Sequence, residues 1–178
     1  MGALGGVLGG IAISVWGGPR RKVHGVLLGW ALVGLCQFIF GFGLPFWFVG
    51  VFLMEMTVPA LDGSNQAIWQ IKVAPDVQGR VFSMRRLIAQ LTMPLAALVA
   101  GPMADRVLEP GMLVGGGLAP VFGSWVGVGP GAGMALLFLI SGLLTVLIGL
   151  APYAIPAVRE VESLLPDHEE TVLKESVK

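Results

Sequence analysis

Residues 134–155 read MALLFLISGLLTVLIGLAPYAI, and residues 136–150 within them carry no charge. About 20 residues at 1.5 Å each are enough to cross the ~30 Å hydrocarbon core of a bilayer. A helix on the surface of a water-soluble protein keeps a charged stripe, and this one has no charge to form it. The stretch therefore predicts a membrane-spanning helix. The rest of the chain is then read as an all-α, polytopic membrane protein, because helices satisfy their backbone polar groups without water.

Composition points the same way. The chain has 178 residues, 55% of them hydrophobic and 12% charged, with no net charge. A soluble domain carries about 25% charged residues, so this chain has about half the charge needed to solvate a surface. The mean hydropathy is +0.83. Glycine reaches 27 residues, against a usual ~7%, and membrane helices tolerate it better than soluble ones. These values exclude a soluble enzyme, a disordered chain and a basic nucleic-acid binder. No nucleic acid is expected as a partner; the lipid bilayer is. At ~20 residues per span, the length admits five or six helices.

Four further apolar segments lie upstream, at 1–16, 23–44, 46–71 and 87–104. Gly17-Gly18-Pro19 closes the first and Pro45 the second. A basic loop, 72–86, separates the third from the fourth. A loop at 110–133, with nine glycines and no charge, separates the fourth from 134–155. The expected organisation is a helical bundle over 1–158 and an acidic, solvated tail over 159–178. No basic residue precedes the first apolar run, which does not fit a secretory signal. Such a start fits either a native beginning or a cut inside a helix.

Counting Lys and Arg sets an expected orientation. Arg20, Arg21, Lys22, Lys72, Arg80, Arg85, Arg86, Arg159, Lys174 and Lys178 fall on one side, and Arg106 alone on the other. The richer side is expected to be cytoplasmic. That places the N-terminus outside, the C-terminus inside and five spans between them, in the cell membrane.

Carboxylates inside an apolar segment are costly and usually face a bundle interior or a wet path. Glu55 and Asp62 are seven residues apart, hence on one helix face, and Ser64, Asn65 and Gln66 follow. Glu55, Asp62, Asn65 and Gln66 are the candidates for a substrate or proton path. The alternative is a hydrogen-bonded carboxyl that ties helices together. Gln37 and Gln90 read as interhelical hydrogen bonds. Gly2, Gly6 and Gly10, and likewise Gly25 and Gly29, have the four-residue spacing that lets helices approach closely.

Other chemistry finds no support in the residues. The glycine-rich loop lacks the Lys-Ser/Thr ending of a phosphate cradle. His24 and His168 stand apart, Cys36 is single, and no nucleophile has a base beside it. No metal site, cofactor or enzymatic activity is expected.

The succession Trp16-Gly17-Gly18-Pro19-Arg20-Arg21-Lys22, then Asn65-Gln66-Ala67-Ile68-Trp69-Gln70, then Val73-Ala74-Pro75-Asp76-Val77-Gln78-Gly79-Arg80-Val81-Phe82 with Arg85-Arg86 resembles the C-terminal half of major facilitator superfamily transporters. Within that superfamily it is most similar to the drug and macrolide efflux branch, which includes siderophore exporters. The resemblance implies that the five segments match helices eight to twelve. It makes Asp76, Gly79, Arg80, Arg85 and Arg86 part of the cytoplasmic loop between helices ten and eleven, and Arg20, Arg21 and Lys22 part of the loop between eight and nine. The acidic position of the family's G-x-x-x-D-[RK]-x-G-[RK]-[RK] motif is Ser14 or Val15 here. Gly101 to Arg106 looks like the same motif, but the charge count puts Asp105 and Arg106 at an external helix end.

The resemblance implies a fragment of a secondary transporter that exports a hydrophobic small molecule, a drug or secondary metabolite, by alternating access with protons as a possible coupling ion. Its partner would be the missing N-terminal half together with helix seven, seven helices in all. The alternative function is a non-transporting membrane interaction protein or a truncated remnant.

Overall fold

The computed structural model describes residues 2–164, apart from the side chains of Leu44, Pro45 and Ser163. The described residues are helical, with no strand. Helix α1 is Gly2–Trp16, α2 is Lys22–Phe40 and α3 is Leu44–Lys72. Helix α4, Pro75–Met103, runs through a π-helical turn at Ala104–Leu108 into the short α5, Glu109–Met112. Then come α6, Ala119–Val126, and α7, Ala132–Leu150. A 3₁₀ turn at Ala151–Ala154 leads to the short α8, Pro156–Arg159, and α9, Val161–Leu164.

Four of these stretches are long and apolar enough to cross a membrane: Lys22–Phe40, Phe46–Lys72, Pro75–Met112 and Ala132–Ala154. Helix α1 is apolar but has 15 residues, about 22 Å at 1.5 Å per residue, and so is short for a ~30 Å core.

Glycine decides which helices touch. A Cβ on Gly34 would lie 2.5 Å from the Val146 nitrogen and 2.8 Å from the Gly142 oxygen. A Cβ on Gly149 would meet the Ala31 nitrogen at 2.5 Å and the Leu27 oxygen at 2.7 Å. Helices α2 and α7 thus run antiparallel in backbone contact, as small-residue interfaces allow in membranes. On its other side α2 meets α3, with Gly29 against Leu61 and Gly25 against Ser64. Helix α1 runs parallel to α3, with Gly5 over Phe52 and Gly9 over Met56. The lateral order is therefore α1, α3, α2, α7.

Of the glycines expected to let α1 approach closely, Gly2 does so, with a Cβ there 3.3 Å from Val51. Gly5 and Gly9 are its buried residues, whereas Gly10 has open space around it. The Gly25 and Gly29 pair does sit at a helix contact. Gln37 Nε2 donates to Ser141 Oγ at 2.9 Å, linking α2 to α7. Gln90 stands exposed on α4 and has no such interhelical bond.

Three further expectations are corrected. The region 72–86, read as a loop, is almost entirely helix, because α4 begins at Pro75 with Asp76 in its first turn. Proline is suited to the first helical position, and a carboxylate there faces the positive end of the helix dipole. Next, Asp105 and Arg106 do not end a helix: they lie in the π-helical turn, three and four residues past Pro102, and the helix continues to Met112. A proline removes a backbone donor, and π turns accommodate such breaks. The glycine-rich loop also contains a helix, α6. Its Phe122 and Val126, with Leu118 just before its first residue, pack against the buried cluster of Leu108, Met112, Ala132 and Leu136.

That end of the bundle also holds an aromatic group. Phe40, Trp47 and Phe138 have ring centroids 5.6 Å apart in each pair, and Trp47 Nε1 donates to the Phe40 carbonyl at 2.9 Å. Nearby, Glu109 Oε2 accepts from the Gly133 N–H at 2.9 Å and Oε1 from the Gly131 N–H. The Glu109 carboxylate thereby caps α7 from another helix.

Candidate functional site

Glu55 and Asp62 lie well inside α3. Glu55 is eleven residues from the start of the helix at Leu44, and Asp62 ten residues from its end at Lys72. Each is about 15 Å or more along the axis from the nearer helix end. The helix continues without interruption through Pro59. At 100° per residue, Glu55, Asp62 and Gln66 fall on one stripe. Leu61 and Ser64, which face α2, occupy the opposite side.

The burial of this stripe is graded. Glu55 is half-buried beside α1, where a Cβ on Gly2 would lie 3.4 Å from its Cγ and one on Gly5 would lie 3.2 Å from its Cβ. Asp62 and Gln66 are exposed, and Gly63 beside them has nothing within 4 Å. Asn65 is half-buried and accepts a hydrogen bond from Trp69 Nε1 at 3.2 Å. The structure brings Glu55, Asp62 and Gln66 onto one polar stripe and leaves Asn65 tied at its edge.

Helix α4 adjoins α3 where the stripe ends. Arg85 places its guanidinium carbon 4.4 Å from the centre of the Trp69 ring, a cation–π contact. Gln78 Nε2 donates to the Gln70 and Val73 carbonyls at 3.0 and 2.9 Å. Beyond these first turns, no described residue of α4 is buried. Asp76, Gly79, Arg80 and Arg86 are exposed there, and Gly79 has no neighbour within 4 Å.

A separate apolar groove of about 420 Å³ opens between α1 and α2, lined by Gly9, Ile13, Trp16, Cys36 and Met56 among others. Met56, Thr57 and Ala60 of α3 line it, so it faces away from the Asp62 stripe and is not joined to it.

At the helix ends that carry the basic residues, sequence reasoning missed an assembly. Glu162 Oε1 accepts from the Val23 N–H at 2.8 Å, and Lys72 Nζ donates to the Glu162 carbonyl at 2.8 Å. His24, read as isolated, has Nδ1 3.0 Å from the Tyr153 hydroxyl and stacks on that ring. Of the solvated tail expected from residue 159, the described part, 159–164, is mostly helical and held to the bundle by Glu162, with an Arg159–Glu160 ion pair at 3.3 Å. Lys174 and Lys178, also assigned to that tail, lie outside the described residues. One signal in the sequence was available: Arg21 at the start of α2 has no side chain able to cap the helix, so its free N–H groups call for a carboxylate from elsewhere.

Among the described residues, no group of three His, Cys, Asp or Glu side chains could hold a metal. No protein-family profile and no solved structure matches the chain. Over 109 residues, 59% of its length, it is 28% identical to macrolide efflux protein A of Streptococcus pyogenes. Over 97 residues, 52% of its length, it is 28% identical to macrolide efflux protein A of Enterococcus faecalis. The matched regions span 27% and 30% of those relatives. The chain is thus a polytopic helical membrane protein with distant efflux-transporter relatives, matched over somewhat more than a quarter of their length.

Proposed function

We propose that this chain is part of a major facilitator superfamily secondary transporter, corresponding to helices eight to twelve of its C-terminal half. In this reading it exports a hydrophobic small molecule of the macrolide kind by alternating access, together with seven further helices. The exposed Asp62–Gln66 stripe of α3 carries the reading. A carboxylate deep in a spanning helix costs roughly 2.5–3.5 kcal/mol against lipid, so such a stripe belongs against water or protein. No other described helix covers it. In a whole transporter it would face the path between the halves, with Glu55 and Asp62 as proton or cation sites and Gln66 as a substrate contact. The efflux relatives support export as the direction. The positive-inside count supports an outside N-terminus and puts Arg20, Arg21, Lys22, Asp76, Gly79, Arg80, Arg85 and Arg86 on the cytoplasmic face.

The test is export of labelled erythromycin from a susceptible strain that expresses this chain together with the first seven helices of a macrolide efflux protein. Export by the pair, lost with Asp62→Asn at unchanged membrane abundance, is the expected result. No export by the assembled pair, or export indifferent to both Asp62→Asn and Glu55→Gln, refutes the proposal and favours a non-transporting membrane protein.

A further inference from the structure

The docked tail bounds a cleft of about 210 Å³ lined by Arg20, Lys22, Ile68, Ile71, Lys72 and Glu162. Among the described residues that line it, Arg20, Lys22 and Lys72 are cationic and Glu162 is acidic. The cleft also receives the N-terminus of α2, a helix of 19 residues whose first turn has no acidic residue of its own. Free N–H groups and the helix dipole make such an end favourable for an oxygen anion. The protein itself supplies one: the Glu162 carboxylate comes from 139 residues away to accept from Val23. Ile68 and Ile71 add an apolar part to the lining of the cleft, and Ile71 is 47% exposed.

The location narrows the ligand. Lys22 is the first residue of α2 and Lys72 the last of α3. Helix α2 is about 28 Å long at 1.5 Å per residue, close to the thickness of the hydrocarbon core. The cations therefore sit at the level of lipid phosphates, while Ile71 and the exposed Trp69 sit at the acyl boundary below. A free phosphate would use the cations but not the apolar wall. A phospholipid uses both.

We propose that this cleft binds the headgroup phosphate of an anionic phospholipid, with Glu162 as the internal carboxylate that the lipid competes against. Arg20 and Lys22 pair with the phosphate, and Ile68 and Ile71 pack on the glycerol and upper acyl carbons. Lys72 is bonded to the Glu162 carbonyl and couples occupancy to the seating of the tail. The site needs only a membrane-embedded chain and does not depend on transport.

The full chain in detergent is titrated with dihexanoyl-phosphatidylglycerol, dihexanoyl-phosphatidylcholine and inorganic phosphate, with occupancy read by native mass spectrometry. Phosphatidylglycerol should bind at least ten-fold more tightly than phosphatidylcholine, and millimolar phosphate should not displace it. Each membrane-proximal cation contributes about five-fold in affinity, so the R20A/K22A double variant should lose about 25-fold, while R106A at the far end should lose nothing. Glu162→Gln should tighten binding by removing the competing charge. Helicity by circular dichroism checks each variant, and R20Q/K22Q substitutes if the alanine pair misfolds. Equal binding of the two lipids, or unchanged binding in a folded double variant, overturns the proposal. Displacement by phosphate at matching concentration overturns the lipid assignment in favour of a free-anion site.

Discussion

Replacing Gly142 by alanine should damage this protein, while the same change at Gly63 should not, although both are glycines inside membrane helices. At Gly142 the added Cβ would stand 2.7 Å from the Phe38 Cα and 2.8 Å from the Gly34 oxygen, with the Phe38 nitrogen closer still. Ordinary carbon contacts lie at 3.5–4.0 Å, so α2 and α7 must part by roughly 1 Å. A gap of 0.5–1 Å forfeits about a quarter to a half of each contact's dispersion energy. None of the three atoms is the movable end of a side chain, so overpacking of about 1–3 kcal/mol is expected. At Gly63 nothing lies within 4 Å. There the gain in helix propensity, up to about 1 kcal/mol, is the main effect. The assay is thermal unfolding of the purified chain in one detergent, followed by loss of helicity for wild type, Gly142→Ala and Gly63→Ala. The expected order of stability is Gly63→Ala at or above wild type, with Gly142→Ala clearly below. A Gly142→Ala variant within 0.5 kcal/mol of wild type would refute backbone contact as the basis of the α2–α7 seam.

Three other outcomes follow from particular contacts. Glu109→Ala removes both bonds that close the N-terminus of α7 and should cost about 1–2 kcal/mol, read by the same melt; Glu109→Gln should retain part of the loss-free bonding. Gln37→Leu breaks the bond to Ser141, and a double-mutant cycle with Ser141→Ala should give a coupling near 0.6 kcal/mol, the usual value between membrane helices. Trp69→Ala frees both Asn65 and Arg85, so a cysteine pair engineered between the last turn of α3 and the start of α4 should crosslink more slowly.

Much of the fold could be read directly from the residues. Residues 134–155, the breaks at Pro19 and Pro45 and the low charge were enough for a helical membrane protein, since a bilayer leaves few other ways to satisfy a backbone. The polar stripe was legible too, because seven-residue spacing is a property of the helix alone. Helix ends were harder. The VAPDVQGR stretch looked like a loop because it is charged, yet Pro75 and Asp76 are start signals that matter more than hydropathy. Helix α6 was hidden by Gly123 and the glycines around it, and it forms because Leu118, Phe122 and Val126 have a buried cluster to cover. The reach of Glu162 back to Val23 and the stacking of His24 on Tyr153 depend on tertiary folding, and no local pattern encodes them.

The glycine seam between α2 and α7 has a mechanical consequence. A contact made of backbone has no rotamers to rearrange, so it cannot absorb a displacement by reshuffling side chains. A push on α7 reaches α2 undiminished, as through meshed gears without play, whereas the Leu61 and Ser64 side chains pass it on to α3. Helix α4, fastened near Trp69 at one end and through Leu108 and Met112 at the other, is the compliant member beside that stiff frame. Relative motion in this chain should therefore appear as bending of one strut while the other helices keep their mutual distances.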